Sequence, residues 1–223
     1  MRSVLLVTVL LSCVALFSCS DSSSNGSAAQ TGVIIPMTIG NYWVLDSTLY
    51  DASGTSHAGG TDSIKIKSST ISPKDGSTYF DLKYYWLMPT NVGVYIAAPP
   101  NFYSAYRYFK YPANPGEIFR DHTDYMTMPF PITSKPDSIA TMVSNYVVQK
   151  NSVSVTVAAG TFNCYEYQTD WKEVRGNATL QRDIYYLCPN VGYVRIEHYS
   201  IQGADISALH LRSRVDLRSY SVH

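Results

Sequence analysis

The sequence predicts an all-β fold: a single curved antiparallel sheet, a half-barrel or open barrel of about eleven strands, with few or no helices. Three observations carry this. Many segments alternate apolar and polar residues, the period-two signature of half-buried strands. Clusters of Gly, Pro, Asn and Asp separate them. The composition suits a pleated surface: 19 of 223 residues are Tyr, aromatics reach 13% and charged residues only 15%, against about 25% charged in ordinary soluble domains. Aromatic and β-branched side chains favour strands. The formal net charge is zero, which leaves no basic stripe of the kind a nucleic-acid partner requires.

The chain opens on an export segment, residues 1–18. Arg2 supplies the positive charge, and Val4 to Phe17 form an apolar run too short for a transmembrane helix of about 20 residues. The run ends Leu16-Phe17-Ser18-Cys19. This resembles a bacterial lipobox, in which a small residue precedes a cysteine that is diacylated and becomes the new N-terminus. The resemblance makes Cys19 the lipidation site. The alternatives are a rival lipobox, Leu10-Leu11-Ser12-Cys13, and an ordinary signal peptide cut near Ala28 and Ala29. Residues 19–35 follow as a Ser/Gly-rich tether, a flexible spacer between lipid and folded domain. Ser20, rather than Asp, after the cysteine points to the outer membrane by the enterobacterial sorting convention. The expected partner is therefore a membrane, held through an N-terminal lipid, and the expected location is the bacterial cell envelope.

Residues 36–223 form the β domain. Tyr42 to Tyr50 read as a first strand with Trp43 and Leu45 on one face. Ile64 and Ile66 alternate with Lys65 and Lys67 in a second. Tyr79 to Met88 read as one strand whose face Phe80, Leu82, Tyr84, Trp86, Met88 is apolar throughout. Val92 to Ala97 and Tyr103 to Tyr111 follow. The Pro-rich stretch from Glu117 to Asp137 resists assignment. Tyr146 to Val148 and Val153 to Val157 read as strands around a turn at Lys150-Asn151-Ser152.

The best-defined segment runs from Val153 to Tyr199, with a fourth strand after it. A turn centred on Gly176 sets Cys164 opposite Cys188, Glu166 opposite Tyr186 and Asp170 opposite Arg182 on one side. Tyr165 then faces Leu187, and Tyr167 faces Tyr185, on the other. A slip of one residue would send the two cysteines to opposite faces. The last strand alternates, with Leu209, Leu211, Val215 and Leu217 on one face and His210, Arg212, Arg214, Asp216 and Arg218 on the other.

Three segments also carry a resemblance. They are Gly40 and Trp43 near the start, Ala159 to Tyr165, and Tyr185, Tyr186, Val191, Gly192 and Val194. Together they are similar to uncharacterised envelope lipoproteins of Bacteroidetes- and Chlorobi-type bacteria, which look like the lipoprotein-localisation-factor half-barrels. The resemblance implies a sheet with an apolar concave face and, by extension, an acyl ligand.

Site residues are few. Cys164 and Cys188 are candidates for a disulfide in an exported protein; two buried free thiols are the alternative. Trp43, Phe80, Tyr84, Trp86, Met88 and Phe109 are the candidate apolar ligand surface, with plain core as the alternative. Exposed aromatics could instead stack on sugar rings. Asp121-His122-Thr123-Asp124 reads as a polar loop. His198 and His210 fall on neighbouring strands, but Glu197 points away from His198, so no third metal ligand is in view. Gly-x-Ser-x-Gly, His-Glu-x-x-His and phosphate-loop motifs are absent from the sequence. The expected protein is a non-enzymatic binding module for an apolar or acyl ligand, without cofactor or metal. Its alternatives are a structural or partner-binding envelope protein with a filled core, and a glycan-binding module.

Overall fold

The computed structural model describes residues 32–73, 75–82, 85–97, 106–119, 126–129, 139–173, 178–202 and 205–223. Every regular element among them is a strand: β1 (Tyr42–Tyr50), β2 (Ser56–Lys65), β3 (Ser69–Ile71), β4 (Thr78–Asp81), β5 (Trp86–Thr90), β6 (Gly93–Ala97), β7 (Tyr106–Lys110), β8 (Ile118–Phe119), β9 (Met126–Pro129), β10 (Ile139–Val157), β11 (Gly160–Glu173), β12 (Thr179–Cys188), β13 (Gly192–Gln202) and β14 (Asp205–Ser221). The all-β, antiparallel, open character read from the sequence holds.

The strands divide between two sheets where the sequence suggested one. The long sheet runs β2-β1-β14-β13-β12-β11-β10, with short β8 and β9 both paired to the far edge of β10. The small sheet is a plain meander, β3-β4-β5-β6-β7. The long sheet does not close: β2 bounds one side and β8 and β9 the other.

The central hairpin has the alignment that its charge and aromatic pairs require. Tyr165 faces Leu187, Glu166 faces Tyr186, Tyr167 faces Tyr185 and Asp170 faces Arg182. Arg182 forks onto Asp170 through Nε at 2.6 Å and Nη2 at 3.0 Å.

Three local expectations are corrected. Tyr79 to Met88 is a hairpin, not one strand: Phe80 pairs with Leu87 and Asp81 with Trp86. The Leu82 N–H donates to the Tyr85 carbonyl at 3.0 Å, which requires the chain to reverse there. Apolar alternation fits one long strand or two short ones equally well, and the backbone bonds decide. Lys150 to Ser152 is a bulged stretch within β10 rather than a turn. Here β11 offers a continuous partner, with Val148 on Tyr167, Lys150 on Glu166 and Val153 on Cys164, and the bulge absorbs the surplus residues. In β14 the pairing shifts so that Ser213 faces His198 while Leu211 faces Tyr199. A bulge inverts the alternation. Leu211 therefore lies on the face opposite Val215 and Leu217.

The core lies between the sheets. Phe109 of β7 is fully buried and meets Tyr167, Tyr185 and Tyr193 of the long sheet edge to face, at centroid distances of 5.1, 5.3 and 6.4 Å. Tyr111 stands edge-on to Tyr165 at 5.3 Å. The Tyr167 hydroxyl donates to the Lys110 carbonyl at 2.8 Å. At the other side of the core the Trp43 indole N–H donates to the Val191 carbonyl at 2.5 Å. Gly192 lies under that indole with φ +93°, a conformation that side-chain-bearing residues rarely take. Buried Asn41 fastens both ends of the domain, donating to the Pro36 carbonyl and accepting from the His223 N–H.

Candidate functional site

The long sheet's inner face, the one that meets the small sheet, changes character along its strands. One cross-strand row reads Tyr167, Tyr185, Ile196, Val215. The next row reads Thr169, Asp183, His198, Ser213, and the one after it Trp171, Gln181, Ser200, His210. Rows on one face lie about 7 Å apart, so an apolar wall becomes a polar field within one step. The bulge in β14 brings His210 to this face; strict alternation from Val215 would have placed it on the other.

Asp183 organises the polar field. Its Oδ1 lies 2.7 Å from His198 Nδ1. Its Oδ2 accepts from the Trp171 indole N–H at 3.2 Å and from the Gln181 amide at 3.3 Å. The carboxylate is thus anchored from three strands, and its side chain is only 15% exposed. With Nδ1–H on Asp183, His198 keeps the Nε2 lone pair for another partner, and its side chain is 35% exposed. Beside Asp183, Thr169 is 1% exposed, and its hydroxyl has no hydrogen-bond partner among the described residues. An unsatisfied buried hydroxyl is costly and marks a place where a polar atom is wanted. Among the described residues no three His, Cys, Asp or Glu side chains converge on one point.

A cluster of phenols borders this field on the apolar side. The Tyr108 hydroxyl donates to that of Tyr185 at 3.3 Å, and the hydroxyls of Tyr85 and Tyr193 meet at 3.4 Å. Burial, reinforced by neighbouring phenols, raises Tyr108 and Tyr193 well above the ordinary tyrosine pKa.

The outer face of the same sheet is an ion-pair lattice. Glu197, buried at 6%, accepts from Arg214 at 2.9 Å and from the Tyr199 hydroxyl at 2.9 Å. Arg195 reaches Asp216 at 2.5 Å. Burial and its bond to Glu197 push Tyr199 up to about 12. These charges neutralise one another within the face. Glu197 does point away from His198, as the alternation predicted.

The residues singled out from the sequence fall as follows. Trp43 and Phe109 are core, with no exposed surface. Phe80, Trp86 and Met88 are half-buried on the small sheet. Tyr84, Cys19, the 121–124 loop and the export segment lie outside the described residues. Among the described residues lie a cleft of about 80 Å³ lined by Val33, Ile35, Pro89, Val94 and Tyr111, and one of about 150 Å³ on the surface beside Ile118 and Lys172. Both are smaller than the roughly 300–1,000 Å³ of a typical ligand pocket. Cys164 and Cys188 stand as free thiols, their Sγ atoms donating to the Phe162 and Pro189 carbonyls at 3.9 and 3.6 Å. The neighbouring thiol, helped by the Asn163 backbone, lowers the Cys188 thiol pKa, while the same neighbour and burial raise that of Cys164.

Asp183, Trp171, Gln181 and Thr169 were not picked out by sequence reasoning. The signal was present: the arithmetic that aligned the central hairpin, applied to the Pro189-Asn190-Val191-Gly192 turn, sets Asp183 opposite His198.

No family model matches the chain, and no curated protein matches it. Among solved structures it is similar to a protein of Bacteroides fragilis assigned as exported and having a YmcC-like fold, at 14% identity and a TM-score of 0.44. It is also similar to a protein of Parabacteroides distasonis assigned as a lipoprotein, at 15% identity and a TM-score of 0.38. Each similarity covers 85% of this chain and 99% of the other.

Proposed function

We propose that this chain is an exported envelope protein, lipid-anchored through Cys19 at the outer membrane, that works as a non-enzymatic binding module. Its ligand site is the polar field around Asp183 and His198. The observation that carries this is the fixed carboxylate: three donors from three strands hold Asp183, and among the described residues one imidazole nitrogen of a partly exposed His198 stays uncommitted. Such pre-organisation on rigid strands is what a specific polar contact needs. The filled contact between the sheets favours this field over an apolar cavity for an acyl chain. Ser213 faces His198 in register, but among the described residues no hydrogen bond joins them. A nucleophile and its base need that bond, so the arrangement supports binding rather than acyl transfer.

Two measurements test the reading. Metabolic labelling with an alkyne fatty acid should tag the wild-type protein and not Cys19→Ala, and the label should fractionate with the outer membrane. A small-fragment screen by NMR should move the Trp171 indole and His198 imidazole resonances together. Fragments clustering only at Trp86 and Met88 would support the acyl-ligand reading instead. Ser213-dependent labelling by a fluorophosphonate would make the protein an enzyme.

A further inference from the structure

We infer that the polar field recognises a neutral, hydroxyl-rich ring, a saccharide. This rests on the binding-module reading and names its ligand class. The argument begins with charge. Neither polar row contains Lys or Arg, and the only fixed charge in them is the Asp183 carboxylate. A phosphate or carboxylate ligand would meet that charge with no counter-charge in the rows.

A metal is disfavoured by the hydrogen bonding of Asp183. Its two oxygens already accept from three donors, and no third ligating side chain joins the pair among the described residues. A purely apolar ligand would strand the imidazole and the hydroxyls. The field instead mixes groups that donate and accept: the Ser200 and Ser213 hydroxyls, the Thr169 hydroxyl without a partner, and the acceptor Nε2 of His198. Vicinal hydroxyls of a sugar, each both donor and acceptor, are the complement of such a set.

Size and border agree. From Thr169 to Ser213 the row crosses four strands, about 14 Å, and the two rows span about 7 Å, the footprint of one or two sugar rings. The adjoining Ile196 and Val215 are half-buried apolar neighbours on the same face, placed to meet the C–H side of a ring. The Thr169 observation is independent of the His198–Asp183 pair. It records a buried polar atom in the same row with no partner among the described residues.

The test uses the mature full-length chain in detergent and saturation-transfer NMR with glucose, galactose, mannose and N-acetylglucosamine and their disaccharides. Glucuronate, glucose 6-phosphate and octanoate are run alongside. At least one neutral sugar should bind, and His198→Ala and Asp183→Asn should each weaken it tenfold or more. Thr169→Val removes the hydroxyl while keeping the shape. It should weaken the same sugar severalfold without lowering the melting temperature, an outcome that a merely structural threonine would not give. The inference is overturned if no neutral sugar binds, if binding is indifferent to all three variants, or if only the anionic sugars or octanoate bind. Fragments that still perturb Trp171 and His198 in the absence of sugar binding would sink the ligand class and leave the site. Silence of both would sink the site.

Discussion

Buried phenols give this protein a pH limit on the alkaline side. Tyr108 and Tyr193 resist ionisation because burial penalises the phenolate. In the unfolded chain they ionise near pH 10. Above that pH the folded state holds more protons than the unfolded one, so stability must fall as pH rises. Absorbance of the phenolate near 295 nm should therefore lag behind that of a free tyrosine and then rise together with loss of the β-sheet circular dichroism signal. A smooth titration with the sheet intact would show that the phenols are accessible. The cysteines give a second residue-scale expectation. Cys188, with its lowered pKa, is the better nucleophile of the pair, and Cys164 is the neighbour that lowers it. In protein matured in an oxidising compartment we expect the two to join, with an intact mass about 2 Da below the reduced value. Closing that loop of roughly 25 residues should stabilise by about 3 kcal/mol in the chain-entropy model, lost on adding reductant. An unchanged mass and an unchanged melting temperature would leave them as thiols.

At the scale of elements, hairpins set by side-chain pairing were legible and those set by backbone reversal were not. The β11–β12 alignment could be derived because the cysteine, charge and tyrosine pairs all lie within one contiguous segment and agree on one register. The β4–β5 reversal was missed because Phe80, Trp86 and Met88 satisfy alternation whether or not the chain turns at Leu82. The β13–β14 pairing was misread beyond Arg212 because a bulge is a mismatch between two strands, not a property of either alone. The turn between β12 and β13 supports a sharp prediction. A Cβ on Gly192 would sit 3.2 Å from the Trp43 indole nitrogen, at a φ of +93°. Gly192→Ala should cost about 2 kcal/mol, from left-handed backbone strain and the crowded indole together, measured by urea denaturation. A loss below about 0.5 kcal/mol would mean that the turn relaxes freely. The Trp43–Gly192 contact brings the Gly-x-x-Trp and Val-Gly-x-Val segments, far apart in sequence, together in one core.

For the whole molecule the decisive feature is how two sheets share one core. Phe109 is the ring through which the small sheet grips the long one. Phe109→Ala should cost about 3–5 kcal/mol. If the sheets are one cooperative unit, near-ultraviolet and far-ultraviolet signals will be lost in a single coincident transition; separate transitions would show that the small sheet folds independently. The sequence by itself determined that this chain is built of antiparallel strands, where its central hairpin pairs, and that its aromatic side chains exceed what surface alone would hold. Those facts rest on alternation and turn chemistry, which are written in neighbouring residues. Only the tertiary structure decided that the strands form two sheets, that Trp43 and Phe109 are core, and that a bulge in β14 brings His210 to the face of Asp183 and His198. Those facts depend on which distant strand lies alongside, and on bulges that exchange one face for the other, and no single segment of the chain contains either.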